Sequence, residues 1–326
     1  MRVLVTGAAG MIGRKLVERL VRDGTVGGEP IGHLALADIV APQAPAGTAI
    51  EIEALASDIA APGEAEKLIG RRPDLIFHLA AIISGDAEAN FEKGYRVNLD
   101  GMRALLEAIR RTGDGYHPKM IYTSSSAVFG APFPNSIPDD YHLTPLTSYG
   151  TQKAIGELLL ADYTRKCFLD GVGIRFPSIC IRPDKPNASA GGFYSGIVRE
   201  PLAGQEAILP VPDDVSMTHA SPRAAIGFLI HAATLTREQL GLRVNLTMPG
   251  VFCSVGEQIE ALRRLAGEKA VALIRREPNE LILRINKGWP GRFDARRAQA
   301  LGFRAETSFD QIIRVYVEDE RGGLPA

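Results

Sequence analysis

The chain opens on MRVLVTGAAGMIG, where Gly7, Gly10 and Gly13 recur at every third residue between a short β-branched run, Arg2 to Thr6, and a helical pattern, Met11 to Asp23. The helical pattern is carried by Ile12, Leu16, Val17 and Leu20 and is stopped by Gly24. Strand, tight turn and helix in that order constrain the fold more than any other feature of the chain. Glycine lets the backbone turn sharply, lets N–H groups approach a pyrophosphate with no Cβ between, and lets the helix pack close to the strand. The helix N-terminus then faces the phosphate charge. A dinucleotide-binding unit is the expectation. A glycine-rich turn alone carries little weight, so the later strands and their terminal residues have to bear it out.

The bulk composition narrows the partners. With 326 residues, 45% of them hydrophobic and 23% charged, the chain has the make-up of a soluble globular protein with one large or two unequal domains. The 37 Lys and Arg nearly balance the 38 Asp and Glu, for a net charge of −1, and no basic block tracks a phosphate backbone, so nucleic acid is not an expected partner. No apolar run is long enough to span a bilayer, since even Leu75 to Ile83 is interrupted by His78. Arg2 before an apolar stretch mimics a secretory signal, but Arg14 and Lys15 follow too soon. Cys167, Cys180 and Cys253 are odd in number and far apart, which suggests neither a disulfide framework nor a metal site and fits a reducing, cytoplasmic location.

A second strand, His33 to Ala37, ends at Asp38, which lies 25 residues beyond Gly13, close to where a ribose-binding acid belongs. Its carboxylate can accept from both adenosine ribose hydroxyls and would repel a 2′-phosphate, so NAD is favoured over NADP. A third strand, Ala49 to Leu55, leads to Asp58-Ile59, a pair suited to holding the adenine. A fourth, Asp74 to His78, runs into Leu79-Ala80-Ala81, and a fifth, Met120 to Thr123, delivers Ser124-Ser125-Ser126. Helical patterns between them include Tyr95 to Arg111. Alternating strands and helices predict a doubly wound parallel sheet of the Rossmann kind, with ligands beyond the carboxyl ends of the strands.

The chemistry is expected at Tyr149 and Lys153, which are four residues apart on a helix capped by Thr147 or Ser148 and therefore share a face. A phenol with an ordinary pKa of about 10 is a poor base at neutral pH, but a nearby ammonium and the positive ring of an oxidised nicotinamide favour the phenolate. Tyr149 can then take a hydroxyl proton while Ser125 hydrogen-bonds the same oxygen.

Taken in chain order, Gly7/Gly10/Gly13, Asp38, Asp58-Ile59, the HLAA from His78 to Ala81, the RVN ending at Asn98, the SSSAVFG from Ser124 to Gly130 and the YGTQK from Tyr149 to Lys153 resemble one family. It is the extended short-chain dehydrogenase/reductases of the NAD-dependent epimerase/dehydratase group, and the likeness runs over roughly the first 180 residues. Met11 stands where many members carry phenylalanine, and Phe129 where many carry tyrosine. The resemblance selects Ser125 from its neighbours as the catalytic serine, beside Tyr149 and Lys153. It implies a cofactor site along Gly7, Gly10, Met11, Ile12, Gly13, Asp38, Asp58, Ile59, Leu79, Ala80, Ala81, Asn98, Tyr149 and Lys153, with Pro177, Ser178 and Ile179 against the nicotinamide carboxamide. It also implies a homodimer through the helices Tyr95 to Arg111 and Ser148 to Lys166.

The segments after Ile82 and after Pro177 resemble a branch of the family that oxidises the second-carbon hydroxyl of a four-carbon sugar acid to the 2-keto acid. A short anionic substrate needs a cation and several hydroxyl partners. Ser84, Ser125, Tyr149, Arg182, Asn187, Arg199 and His219 are the candidates, with Lys185 beside them. Two other readings stay open. A nucleotide-sugar 4-epimerase or dehydratase could draw on Arg275, Arg276, Arg292 and Trp289, and a catalytically inactive NAD-sensing protein could use the same fold. The sheet domain is expected over residues 1–175 plus about 218–245, and a smaller substrate-binding domain over about 176–217 plus 246–326.

Overall fold

The computed structural model describes residues 1–183 and 190–323. Seven parallel strands form the central sheet: β1 (Arg2–Thr6), β2 (His33–Asp38), β3 (Glu51–Ala56), β4 (Leu75–His78), β5 (Lys119–Ser125), β6 (Asp170–Phe176) and β7 (Asn245–Thr247). Their spatial order is 7-6-5-4-1-2-3, so the winding direction reverses between β1 and β4. That reversal opens a crevice at the carboxyl ends of the strands.

A strand of a parallel sheet is covered on both faces, so its residues are apolar without alternation. In β1, Val3 and Val5 join the core on one face and Leu4 the core on the other, and all three are fully buried. Each such side chain contributes about 1.5–3 kcal/mol relative to exposure. One face is covered by α1 (Met11–Asp23), which buries Leu16, Val17 and Leu20 and ends where Gly24 turns left-handed at φ 65°. The other is covered by α2 (Gly101–Thr112) and α3 (Ser148–Arg165), with Leu105, Leu106, Ile109 and Leu160 in the core. Helix α4 (Pro222–Thr234) lies beside α1 and buries Phe228 and Leu229.

Two local readings change, and one segment is new. Residues 95–111 are not one helix: a π-turn, Arg96–Asp100, precedes α2 and carries Asn98 inward. Residues 25–32 hold a small hairpin, Thr25–Val26 with Glu29–Pro30, in which Gly27 and Gly28 both take positive φ.

The domain boundary is the second reading that changes. Strand Ser216–Ala220 pairs with Ser178–Ile179 and Val251–Ser254 in a separate three-stranded sheet. The chain rejoins the main domain through α4 and β7. It does so again near the end, where Ala298 and Phe303 pack into the core around Val5 and Leu16. Residues 246–326 are thus shared between the two bodies. The smaller lobe keeps its own core of Tyr194, Ile197, Leu262, Ile312 and Ile313.

Candidate active site

Two cavities open along the carboxyl ends of the strands, one of about 380 Å3 beside β1 and β2, the other of about 190 Å3 beside β5 and β6. The first is built around the glycine turn. Gly7 takes φ 75°, and a Cβ there would lie 2.6 Å from Ala80 N, so this glycine brings the turn against the loop after β4. Gly13 plays a different part, because its Cβ would stand 2.2 Å from Gly7 O, which makes it a packing position that does not line this cavity. Gly10 lines the cavity, and a Cβ there meets only Gly7 O at 3.4 Å. Among the described residues a Cβ at position 10 would meet nothing closer, and glycine there leaves the backbone open to the cavity.

Asp38 closes the same cavity from β2. Its Oδ2 accepts from Ala9 N at 2.9 Å and its Oδ1 from Ile39 N at 2.7 Å, which ties the strand end to the glycine turn. Beyond it, Ile39 and Val40 are 68% and 67% exposed in the cavity wall. Two adjacent exposed aliphatic side chains make an apolar platform, and sequence reasoning missed them because they lie past the strand rather than in it. Asp58 also lines this cavity, with Oδ2 paired to Arg96 Nη1 at 2.7 Å and Oδ1 accepting from Ala60 N at 3.1 Å. Arg96 and Lys93, likewise missed, are the cations of this wall. Ile59, Leu79, Ala80 and Ala81 line it too, whereas Met11, Ile12 and Asn98 do not. Asn98 is buried behind the wall and binds the backbone of Ile82.

The second cavity gathers Ser125, Tyr149, Pro177, Ser178, Ser84 and Arg182. Thr147 caps α3, its hydroxyl accepting from Gly150 N at 3.0 Å. A Cβ on Gly150 would sit 2.1 Å from Ala127 O, so the helix start presses against the turn after β5 and brings Tyr149 to Ser125. The Ser125 hydroxyl is near enough to favour the ionised form of the Tyr149 phenol. Lys153 lies behind them, its Nζ donating to Thr123 O at 2.7 Å and 5.8 Å from the Tyr149 ring centroid. Beneath this layer, buried Glu157 accepts from Ser124 Oγ at 2.5 Å and pairs with Arg175 at 2.7 Å.

The electrostatics differ from the sequence expectation. Burial pushes the Tyr149 phenol up, against the opposing pulls of the Ser125 hydroxyl and the Arg182 charge. Burial pushes the Lys153 ammonium down to about 7. For the phenol, removal from water outweighs the pulls of Ser125 and Arg182, so Tyr149 is a neutral phenol at neutral pH.

Among the described residues lining this cavity, Arg182 is the one cation. Its Nε donates to Ile179 O at 3.1 Å, and no carboxylate among the described residues pairs with it. Ile179 itself is buried behind the wall. Two other expected substrate residues, Arg199 and His219, are not brought here. Arg199 is spent on Arg182 O at 2.8 Å and Glu200 at 2.6 Å. His219 is fully buried in the lobe between Tyr194 and Phe309, with Gln258 Nε2 at 2.7 Å from its Nε2, and burial lowers its pKa to about 3. Asn187, like Lys185, lies outside the described residues. The remaining walls, Met217, Gly191, Trp289 and Pro290, come from the carboxyl half. Of these only Trp289 is singled out by the sequence.

Residues 3–216 match the model of the NAD dependent epimerase/dehydratase family. The chain belongs to this family. Its cofactor is NAD, and the cradle around Gly7, Gly10 and Asp38 fits it. Within the family the chain is 43% identical to D-erythronate dehydrogenase of Cupriavidus necator, over 98% of each chain. It is 37% identical to D-erythronate dehydrogenase of Haemophilus influenzae, over 98% of this chain and 99% of that one. The crystal structure of the nucleoside-diphosphate-sugar epimerase from Agrobacterium tumefaciens superposes with a TM-score of 0.98 at 62% identity, over 99% of this chain and 95% of that one.

Proposed function

We propose that this protein is an NAD-dependent dehydrogenase that oxidises the 2-hydroxyl of D-erythronate to 2-dehydro-D-erythronate. The observation that carries the reading is the pairing of Arg182 with Tyr149 in one small cavity. A guanidinium holds a carboxylate through paired hydrogen bonds. With the carboxylate on Arg182, the hydroxyl of the adjacent carbon is offered to Tyr149 and Ser125, which line the same cavity. The relatives named D-erythronate dehydrogenase support the same substrate class.

In the oxidation, a hydride leaves the second carbon and the hydroxyl proton passes to the Tyr149 oxygen, with Ser125 orienting the substrate oxygen. NAD, when bound, supplies the hydride acceptor. Gly7 and Gly10 would hold its pyrophosphate, Asp38 the adenosine ribose, and Pro177 and Ser178 the nicotinamide end. In the reverse direction the neutral phenol donates the same proton. Because burial raises the Tyr149 pKa, oxidation speeds up as pH rises above neutrality and reduction of the keto acid slows.

The epimerase from Agrobacterium tumefaciens favours the second reading, a nucleotide-sugar epimerase. The arginines that reading needs are engaged elsewhere. Arg275 pairs with Glu206 and Glu277, Arg276 with Asp213, and Arg292 stacks over Phe252 in a different cavity. A cavity of about 190 Å3 is also below the roughly 300 Å3 of ordinary ligand clefts. The deciding experiment offers purified protein NAD or NADP with D-erythronate, and separately UDP-glucose or UDP-galactose. NADH formation with D-erythronate is expected, and interconversion of the UDP-sugars without it would overturn the proposal.

We further infer a cytoplasmic homodimer. Three free thiols support the compartment, and Leu158, 64% exposed on α3, supports a partner on that helix face. Light scattering reads the oligomer.

A further inference from the structure

The two cavities share one strip of backbone. Ile82 lines the first, and Ile83 and Ser84 line the second. Asn98, from the π-turn, clamps that strip: its Oδ1 accepts from Ile82 N at 2.7 Å and its Nδ2 donates to Ile82 O at 3.0 Å. The same Nδ2 donates to Gln152 Oε1 at 2.7 Å. Gln152 lies between Tyr149 and Lys153 on α3, is fully buried, and lines neither cavity.

Two further observations mark Gln152 as more than core. Its Nε2 has no hydrogen-bond partner among the described residues, an arrangement that stability alone disfavours and that an apolar side chain of similar size would avoid. In addition, the helix opposite makes room for it. Gly94, inside the helix Phe91–Tyr95, is where a Cβ would come 2.8 Å from Gln152 Nε2 and 3.1 Å from Ala87 Cβ. Glycine inside a helix is unfavourable relative to alanine, so the local backbone is given up for the approach of this amide.

We propose that Gln152 is a positioning residue that, through Asn98, locks the strip from Leu79 to Ser84 to the helix carrying Tyr149 and Lys153, so that the cofactor cavity and the proton-transfer group keep one fixed relation. This rests on the roles given above to Tyr149 and to the two cavities. It assigns Gln152 no contact with cofactor or substrate.

The test uses the full chain with Gln152→Leu, Asn98→Ala, the double variant and Gly94→Ala. Hydrogen exchange over residues 79–84 in NAD-free protein, the NAD Kd by calorimetry, and kcat/KM are measured together with Tm. Gln152→Leu is expected to keep a cooperative melt, to speed exchange of the strip, and to weaken NAD binding about tenfold, the size of one buried hydrogen bond. Added to Asn98→Ala, it should cost less than about twofold more, because both act through one contact. Gly94→Ala removes no polar group, yet should shift exchange and NAD affinity in the same direction by crowding Gln152, which keeps the test decisive if Gln152→Leu does not fold. Losses that multiply in the double variant would overturn the proposal. So would a lower Tm with exchange and NAD Kd unchanged. These readouts need no substrate, so absence of D-erythronate oxidation by the unaltered protein would count against the substrate reading alone.

Discussion

The cavity under Gly7 and Asp38 takes every wall from residues 6–97, whereas the cavity around Tyr149 draws on separated stretches scattered from Ile83 to Pro290. In the first, consecutive strand ends of one parallel sheet lie side by side, so neighbours in the chain are neighbours in the wall. In the second, the sheet supplies Ser125, the helix Tyr149 and the smaller lobe Met217 and Trp289. The adenosine and pyrophosphate end of the cofactor site is thus a local device, while the cavity that takes the substrate exists only once two bodies have packed. Changes to side chains that face only the adenosine end should therefore leave acid binding intact, and changes to side chains that face only the acid should leave NAD binding intact.

The most severe test of that separation is Tyr149→Phe. Loss of the proton acceptor should lower kcat by about 10²–10⁴-fold while the NAD Kd stays within about twofold, read by NADH absorbance and calorimetry. Full turnover in that variant would remove Tyr149 from the mechanism. Next in size is Arg182→Leu, which deletes the one cation lining the substrate cavity among the described residues. The KM for D-erythronate should rise roughly 10–100-fold, the worth of hydrogen bonds to a charged group, with NAD affinity unchanged. If KM does not move, the carboxylate is held elsewhere.

Asp38→Ser probes the other half. NAD should bind about tenfold more weakly and NADP relatively better, while KM for the acid at saturating NAD holds. A separate effect is on stability. Burial lowers the pKa of His78 and of His219 from 6.5 to about 3, so the unfolded chain binds more protons than the native one between those values. Stability then falls with acidification below pH 6.5, by about 1.4 kcal/mol per pH unit for each histidine. Urea unfolding at several pH values measures the slope. His219→Phe should remove one histidine's share with unchanged KM, which would confirm a residue of the lobe core rather than of the site.

Much of the cofactor half was legible because it depends on short-range physics. A strand, a left-handed glycine and a helix with an apolar stripe are each written within a dozen residues, and Asp38 follows from the length of one βαβ unit. Asp58 was placed for the same reason, whereas Ser125 was selected from its neighbours by the family resemblance. Residues such as Ile39, Val40 and Arg96 could not be read there, because their composition resembles any strand end or helix surface. In the substrate half, His219 and Arg199 were plausible by chemical type alone. Only packing decides whether a histidine faces a cleft or, as here, Tyr194 and Phe309, and whether an arginine is free or held by Glu200.

By itself, the order of residues determined the parallel sheet, the glycine turn, the acid at the end of β2, and the helix face shared by Tyr149 and Lys153, because periodicity and turn chemistry act over a few residues. Tertiary structure alone decided three things: that Arg182 stands beside Tyr149, that residues 296–303 return to the sheet core, and that burial raises the phenol and lowers the ammonium. Desolvation and long-range contact depend on what the rest of the chain brings around a group, and no local pattern carries that information.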